Sequence, residues 1–138
     1  MIKQLAIFIE NQKGSLRRVT ASLHEAGISI FAFSTIDSPE FGILRMIVTD
    51  PKRAEQVLTQ QGFVAKTCEV IAVRLHEQKE MDKLLEAIDS GNININYTYS
   101  SFGSDSNTSV MILNCTDPDE TEEMMMGQGF CCLSRVDA

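Results

Sequence analysis

The residues Glu10-Asn11-Gln12-Lys13-Gly14-Ser15-Leu16 combine type and spacing in a way that implies chemistry. They close an apolar run, residues 5–9, and open an amphipathic one. Glycine at position 14 lets the backbone turn sharply, and Ser15 beside it suits the N-cap of a helix. The first free N–H groups of a helix point into such a turn, which makes a polar cradle for a carboxylate or another anion. Asn11, Gln12, Lys13, Gly14, Ser15 and Leu16 are therefore candidate ligand contacts.

A second polar group lies further on. Asn92, Asn94 and Asn96 alternate with Ile93 and Ile95, as three asparagines on one face of a strand would. Asparagine is poor in strands, so three in register imply compensation by a polar ligand or a facing module. Tyr97 and Tyr99 have the opposite parity and suit packing.

Catalysis finds no such support. His24 falls inside a helical pattern and His76 at a strand end, and neither has a local constellation that marks a nucleophile or base. Arg17 and Arg18 follow the turn but fall on the polar side of its helix, which is not a phosphate loop. Asp117, Asp119, Glu120, Glu122 and Glu123 crowd a helix start, where they suit the dipole and need no metal. Cys68, Cys115, Cys131 and Cys132 lack a metal-ligand spacing and read as reduced thiols. No enzyme, cofactor or metal is expected.

The elements that position these residues follow from periodicity. Residues 3–10 read as a strand, and a helix from Ser15 carries Leu16, Val19, Thr20 and Leu23 to a stop at Gly27. Residues 28–36 and 43–49 form a hairpin around Asp37-Ser38-Pro39-Glu40. Asp50 caps a helix with Pro51 first, ending at Gly62. Residues 63–75 are too many for one ordinary strand and read as two joined end to end.

That order, strand, helix, strand, strand, helix, strand, then repeats. Thr49-Asp50-Pro51 recurs as Thr116-Asp117-Pro118 and Gln61-Gly62-Phe63 as Gln128-Gly129-Phe130, both 67 residues on. Upstream the offset is 65, pairing Leu16 with Met81, Leu23 with Ile88 and Ile30 with Ile95, and the difference falls at residues 103–107. The expectation is α+β: two tandem ferredoxin-like βαββαβ sandwiches with antiparallel sheets and helices on one face, residues 1–70 and 71–138.

The loop at residues 10–16, followed by Glu25-Ala26-Gly27-Ile28-Ser29-Ile30, resembles the ACT domain, a small regulatory module that binds amino acids. With two copies and nothing else, the chain is similar to stand-alone bacterial proteins made of two ACT domains. The resemblance implies a ligand at an interface between modules, held by the loop of one and the second strand of the other. It puts the loop Asn on Asn11 and the turn Gly on Gly14. The usual Pro before that Gly is Lys13, and a His of serine-binding members is Ile9, so serine is not implied. In the second copy Lys79 stands where Gly14 does, while the second-strand polar position is Asn94 there and Ser29 in the first copy. Ser29 and Asn94 thus join the candidate contacts, with Asn96 added from the same strand face as Asn94.

Charge bounds the partners. The chain carries a net −7 with a sequence pI near 4.7 and no Trp, which is no footprint for nucleic acid or an anionic membrane. Residues 1–75 hold 9 Lys/Arg against 7 Asp/Glu, and residues 76–138 hold 3 against 12. No apolar run approaches the ~20 residues of a membrane span, and no signal peptide is evident, so a cytoplasmic protein is expected. The reading is a sensor of a free amino acid or similar small metabolite, a homodimer, with a metabolic enzyme as possible partner. The alternative is a ligand-free interaction module that controls a partner enzyme.

Overall fold

The computed structural model describes residues 1–10, 13–37, 41–101 and 108–136. Asn11, Gln12, the hairpin tip at Ser38-Pro39-Glu40 and the insertion at residues 103–107 lie outside the described residues. The chain divides into two compact units, Lys3–Cys68 and Glu69–Arg135, with Met1–Ile2 belonging to the second. Each is a ferredoxin-like βαββαβ sandwich.

The first unit runs β1 (Ile2–Glu10), α1 (Ser15–Glu25), β2 (Ile30–Asp37), β3 (Phe41–Val48), α2 (Pro51–Gln60) and the first half of β4 (Val64–Leu75), in sheet order β2-β3-β1-β4. β3 is antiparallel to both β1 and β2. Alternation along β1 sends Leu5 and Ile7 to the helix side, opposite Met46 and Leu44 of β3. Val19 and Leu23 of α1 with Ala54 and Leu58 of α2 close that core. As the sequence implies, α2 starts at Pro51 behind Asp50, whose carboxylate accepts from the Arg53 N–H at 3.2 Å.

The second unit uses the remainder of β4, then α3 (Gln78–Ser90), β5 (Ile95–Ser100), β6 (Ser109–Cys115), α4 (Pro118–Gly127) and β7 (Cys131–Cys132), with β5 beside β6, β6 beside β4, and β7 on β4. Its core joins Ile71, Val73 and Leu75 to Leu84, Ile88, Leu113, Cys115 and Met125. The N-terminal amine pairs with Glu122 at 2.7 Å within this unit.

Three expectations need correction. Residues 64–75 are one continuous strand rather than two, because no Gly, Pro or Asn interrupts the ladder. Ser15 does not cap α1: it is the first helical residue and is buried, while Gly14 is the N-cap and supplies no side chain. Asn92 and Asn94 are not in a strand, since β5 begins at Ile95. Asn92 sits just past the end of α3 with φ 53°, in the left-handed region, at the place Gly27 (φ 75°) takes after α1. Both second strands also carry a bulge at the same point, between Ile30 and Ala32 and between Ile95 and Tyr97.

Candidate functional site

Two cavities in the chain are counterparts. The first, of about 590 Å³, lies at the junction of β1, α1 and the start of β4, lined by Phe8, Ile9, Glu10, Ser15, Arg18, Gly62, Phe63 and Val64. The second, of about 320 Å³, is lined by Arg74, His76, Glu80, Lys83, Gln128, Gly129, Phe130 and Cys131. The repeat offsets match Ser15 with Glu80, Arg18 with Lys83, Phe63 with Phe130 and Val64 with Cys131.

Their floors are built identically. After α2 the Phe63 N–H reaches back to the Leu58 carbonyl at 3.0 Å, and after α4 the Phe130 N–H reaches the Met125 carbonyl at 3.0 Å. Gly62 and Gly129 both adopt φ 92°, which brings each phenylalanine round into its cavity.

Their walls differ through one substitution. Gly14 holds φ 88° and ψ −3°, a conformation that costs an L-residue about 1–2 kcal/mol, so α1 cannot extend backwards past it. Lys79, in the corresponding place, is helical, and α3 begins earlier, at Gln78. Glu80 then falls in the first turn and its carboxylate accepts from the His76 backbone N–H at 2.5 Å. The turn of the second unit holds a carboxylate supplied by the chain itself. In the first unit Ser15 stands at that position and the cavity is larger.

Arg18 was assigned to the polar side of its helix, yet it lines the first cavity, with its guanidinium carbon 5.0 Å from the Phe63 ring centroid. Phe8, Glu10, Phe63 and Val64 were likewise not among the expected contacts. The recurrence of Gln-Gly-Phe was visible in the sequence and marks this floor. Lys13, Gly14 and Leu16 are exposed beside the cavity.

The remaining candidates lie elsewhere. Ser29 follows the C-terminal end of α1, so about 16 Å of helix separates it from the Gly14 turn within its unit. Its N–H donates to Thr49 Oγ1 at 3.1 Å. Asn94 occupies the same junction in the second unit: its Nδ2 donates to Thr116 Oγ1 at 3.3 Å, beside a cavity of about 340 Å³ that Asp117 and Glu120 also line. Asn96 is at the β5 bulge, where its Nδ2 donates to Asn114 Oδ1 at 2.8 Å. The Asn96–Asn114 bond crosses between β5 and β6 and compensates for asparagine in a strand, while the Asn94–Thr116 bond joins the residues just outside the two strands. Tyr97 and Tyr99 stack with centroids 6.4 Å apart.

Among the described residues, no three His, Cys, Asp or Glu side chains gather as a metal site, and no helix is long and apolar enough to cross a membrane. Burial raises the Cys115 thiol pKa, and burial followed by the Glu122 carboxylate pushes Cys132 to about 11. Cys115 is a buried core member and Cys132 packs half-buried against that core.

Two ferredoxin-like modules in tandem, each with a cavity where its first strand meets its first helix, define the class of protein. A family model described as an ACT domain pair matches residues 1–134, and the chain belongs to that family. The crystal structure of protein BT0572 from Bacteroides thetaiotaomicron is similar at 28% identity and TM-score 0.87, over 96% of this chain and 91% of that one. The fold is also that of the ligand-free regulatory subunit of aspartate kinase from Thermus thermophilus, at 16% identity and TM-score 0.67 over 92% of each chain. The corresponding subunit from Thermus flavus matches at 18% identity and TM-score 0.62, over 91% of this chain and 88% of that one. No curated protein matches the chain significantly.

Proposed function

We propose that this chain is a regulatory protein, not an enzyme, that senses a free amino acid or a similar small metabolite, with the cavity beside Gly14 receiving the ligand's carboxylate. One observation carries the reading. The second unit sets the Glu80 carboxylate on a backbone N–H of its strand-to-helix turn, while the first unit has Ser15 there and a cavity of about 590 Å³. A turn of this kind suits a carboxylate, and among the described residues only the second copy supplies its own. The volume falls within the roughly 300–1,000 Å³ of small-molecule sites. Membership of a family that typically binds amino acids for regulation supports the same reading.

The contacts that the resemblance gives Asn11, Gln12, Lys13, Ser29, Asn94 and Asn96, with the ligand between modules, belong to this proposal, as does a homodimer that regulates a metabolic enzyme. With its Nδ2 engaged by Thr116, Asn94 retains Oδ1 to accept from an ammonium. Titration calorimetry of the purified protein against each of the twenty amino acids tests the reading. Binding tighter than about 1 mM, or ~4 kcal/mol, is expected for at least one. The absence of any such heat would sink the proposal.

A further inference from the structure

We infer that the amino acid taken by the first cavity has an apolar side chain, with its carboxylate held by Arg18 and its ammonium by Glu10. The inference rests on the amino-acid-sensing reading and names the ligand class for that site.

Charge is the first ground. Glu10 and Arg18 line one cavity, and among the described residues neither forms an ion pair, with the other or with any neighbour. Arg18 lies over the Phe63 ring at 5.0 Å. A guanidinium that rests on an aromatic ring still has N–H donors with which to meet a carboxylate in bidentate fashion. An acid and a base that leave each other unpaired in one cavity complement a zwitterion, whose two charges are held apart by its own α-carbon.

The second ground is the rest of the wall, formed by Phe8, Ile9, Phe63 and Val64. Phe8 is 40% exposed and Val64 58% exposed, so apolar surface faces the opening. A ligand side chain that covers it gains affinity from the water it displaces, while a charged side chain gains nothing there and is desolvated. Among the described residues, no charged group other than Glu10 and Arg18 lines this cavity to meet a third ligand charge.

The other unit provides an internal contrast. Its cavity carries Lys83 and Cys131 in place of Arg18 and Val64, has Arg74 and His76 on its strand wall, and its Glu80 is engaged with His76. It therefore lacks both the apolar wall and a free acid, and the ligand class is assigned to the first unit alone.

Calorimetry with leucine, valine and phenylalanine against glycine, aspartate and lysine tests the class. At least one apolar member is expected to bind tenfold or more tightly than each of the other three. Glu10→Gln and Arg18→Gln, both at exposed positions, should each weaken that binding at least tenfold, Glu10→Gln with the thermal midpoint unchanged and Arg18→Gln with a midpoint lowered by no more than the few degrees that loss of the Phe63 contact accounts for. The analogue 4-methylpentanoate, leucine without its amino group, should be weakened by Arg18→Gln and indifferent to Glu10→Gln. Tighter binding of aspartate or lysine, or full affinity in both variants, overturns this inference while amino-acid sensing stands. Failure of every amino acid to bind overturns both.

Discussion

The Glu80 carboxylate accepts a hydrogen bond from the backbone N–H of His76 at 2.5 Å, closing a turn whose counterpart in the other unit carries Ser15 instead. A tethered carboxylate competes with any free one at an effective concentration of roughly millimolar or more. At corresponding helix starts one module therefore carries a carboxylate of its own, and the other presents Ser15.

Exchange of these two residues tests that asymmetry. Ser15→Glu is expected to bring a carboxylate into the first cavity and to weaken amino-acid binding at least tenfold. Glu80→Ala removes an N-terminal interaction of α3 and should lower stability by about 1 kcal/mol, read from urea unfolding. The His76 amide proton should then exchange at least tenfold faster by NMR. Unchanged His76 exchange in Glu80→Ala would show that the contact does not hold the turn in solution.

Backbone conformation separates Gly14 from most of the positions around it. A Cβ built on Gly14 meets no atom within 4 Å, so the penalty of Gly14→Ala comes from φ 88° alone and should be about 1 kcal/mol. Asn92, at φ 53°, tolerates that region better than most residues, and Asn92→Ala should lose about 1 kcal/mol as well. The two variants should differ in function: Gly14→Ala weakens ligand binding at least tenfold, whereas Asn92→Ala leaves it unchanged. Thermal unfolding paired with calorimetry separates these effects.

The repeat and the order of elements were legible because the apolar residues keep their spacing: Leu5 and Ile7 at period two, Val19 and Leu23 one turn apart, and each recurs in the second copy. Asn92 misled because alternation with Ile93 and Ile95 has the same signature in a strand as in a helix stop followed by a strand; only backbone φ distinguishes them. Arg18 was missed for a related reason. Its helical position is polar, and what turns it to use is Phe63, brought beneath it by the glycine turn after α2. Pairs that far apart in sequence leave no local periodicity to read.

The half-buried Cys132 thiol gives a prediction in pH. Burial first, and the Glu122 carboxylate second, raise the Cys132 thiol from an ordinary 9.0 to about 11 in the folded chain. Between those values the unfolded chain releases the proton while the folded chain retains it, so stability must fall as pH rises from about 9 to about 11. Below pH 9 both states hold the proton and this group adds no pH dependence. Cys132→Ala should therefore flatten that alkaline limb of the unfolding free energy, measured in urea at pH 8, 9, 10 and 11. The same difference governs reactivity, because the thiolate is the nucleophile. At pH 8 a disulfide reagent should label exposed Cys68 and Cys131 first, with Cys115 and Cys132 at least tenfold slower until the chain unfolds. Equal rates for all four thiols in the native protein would mean that the core of the second unit opens on the timescale of labelling.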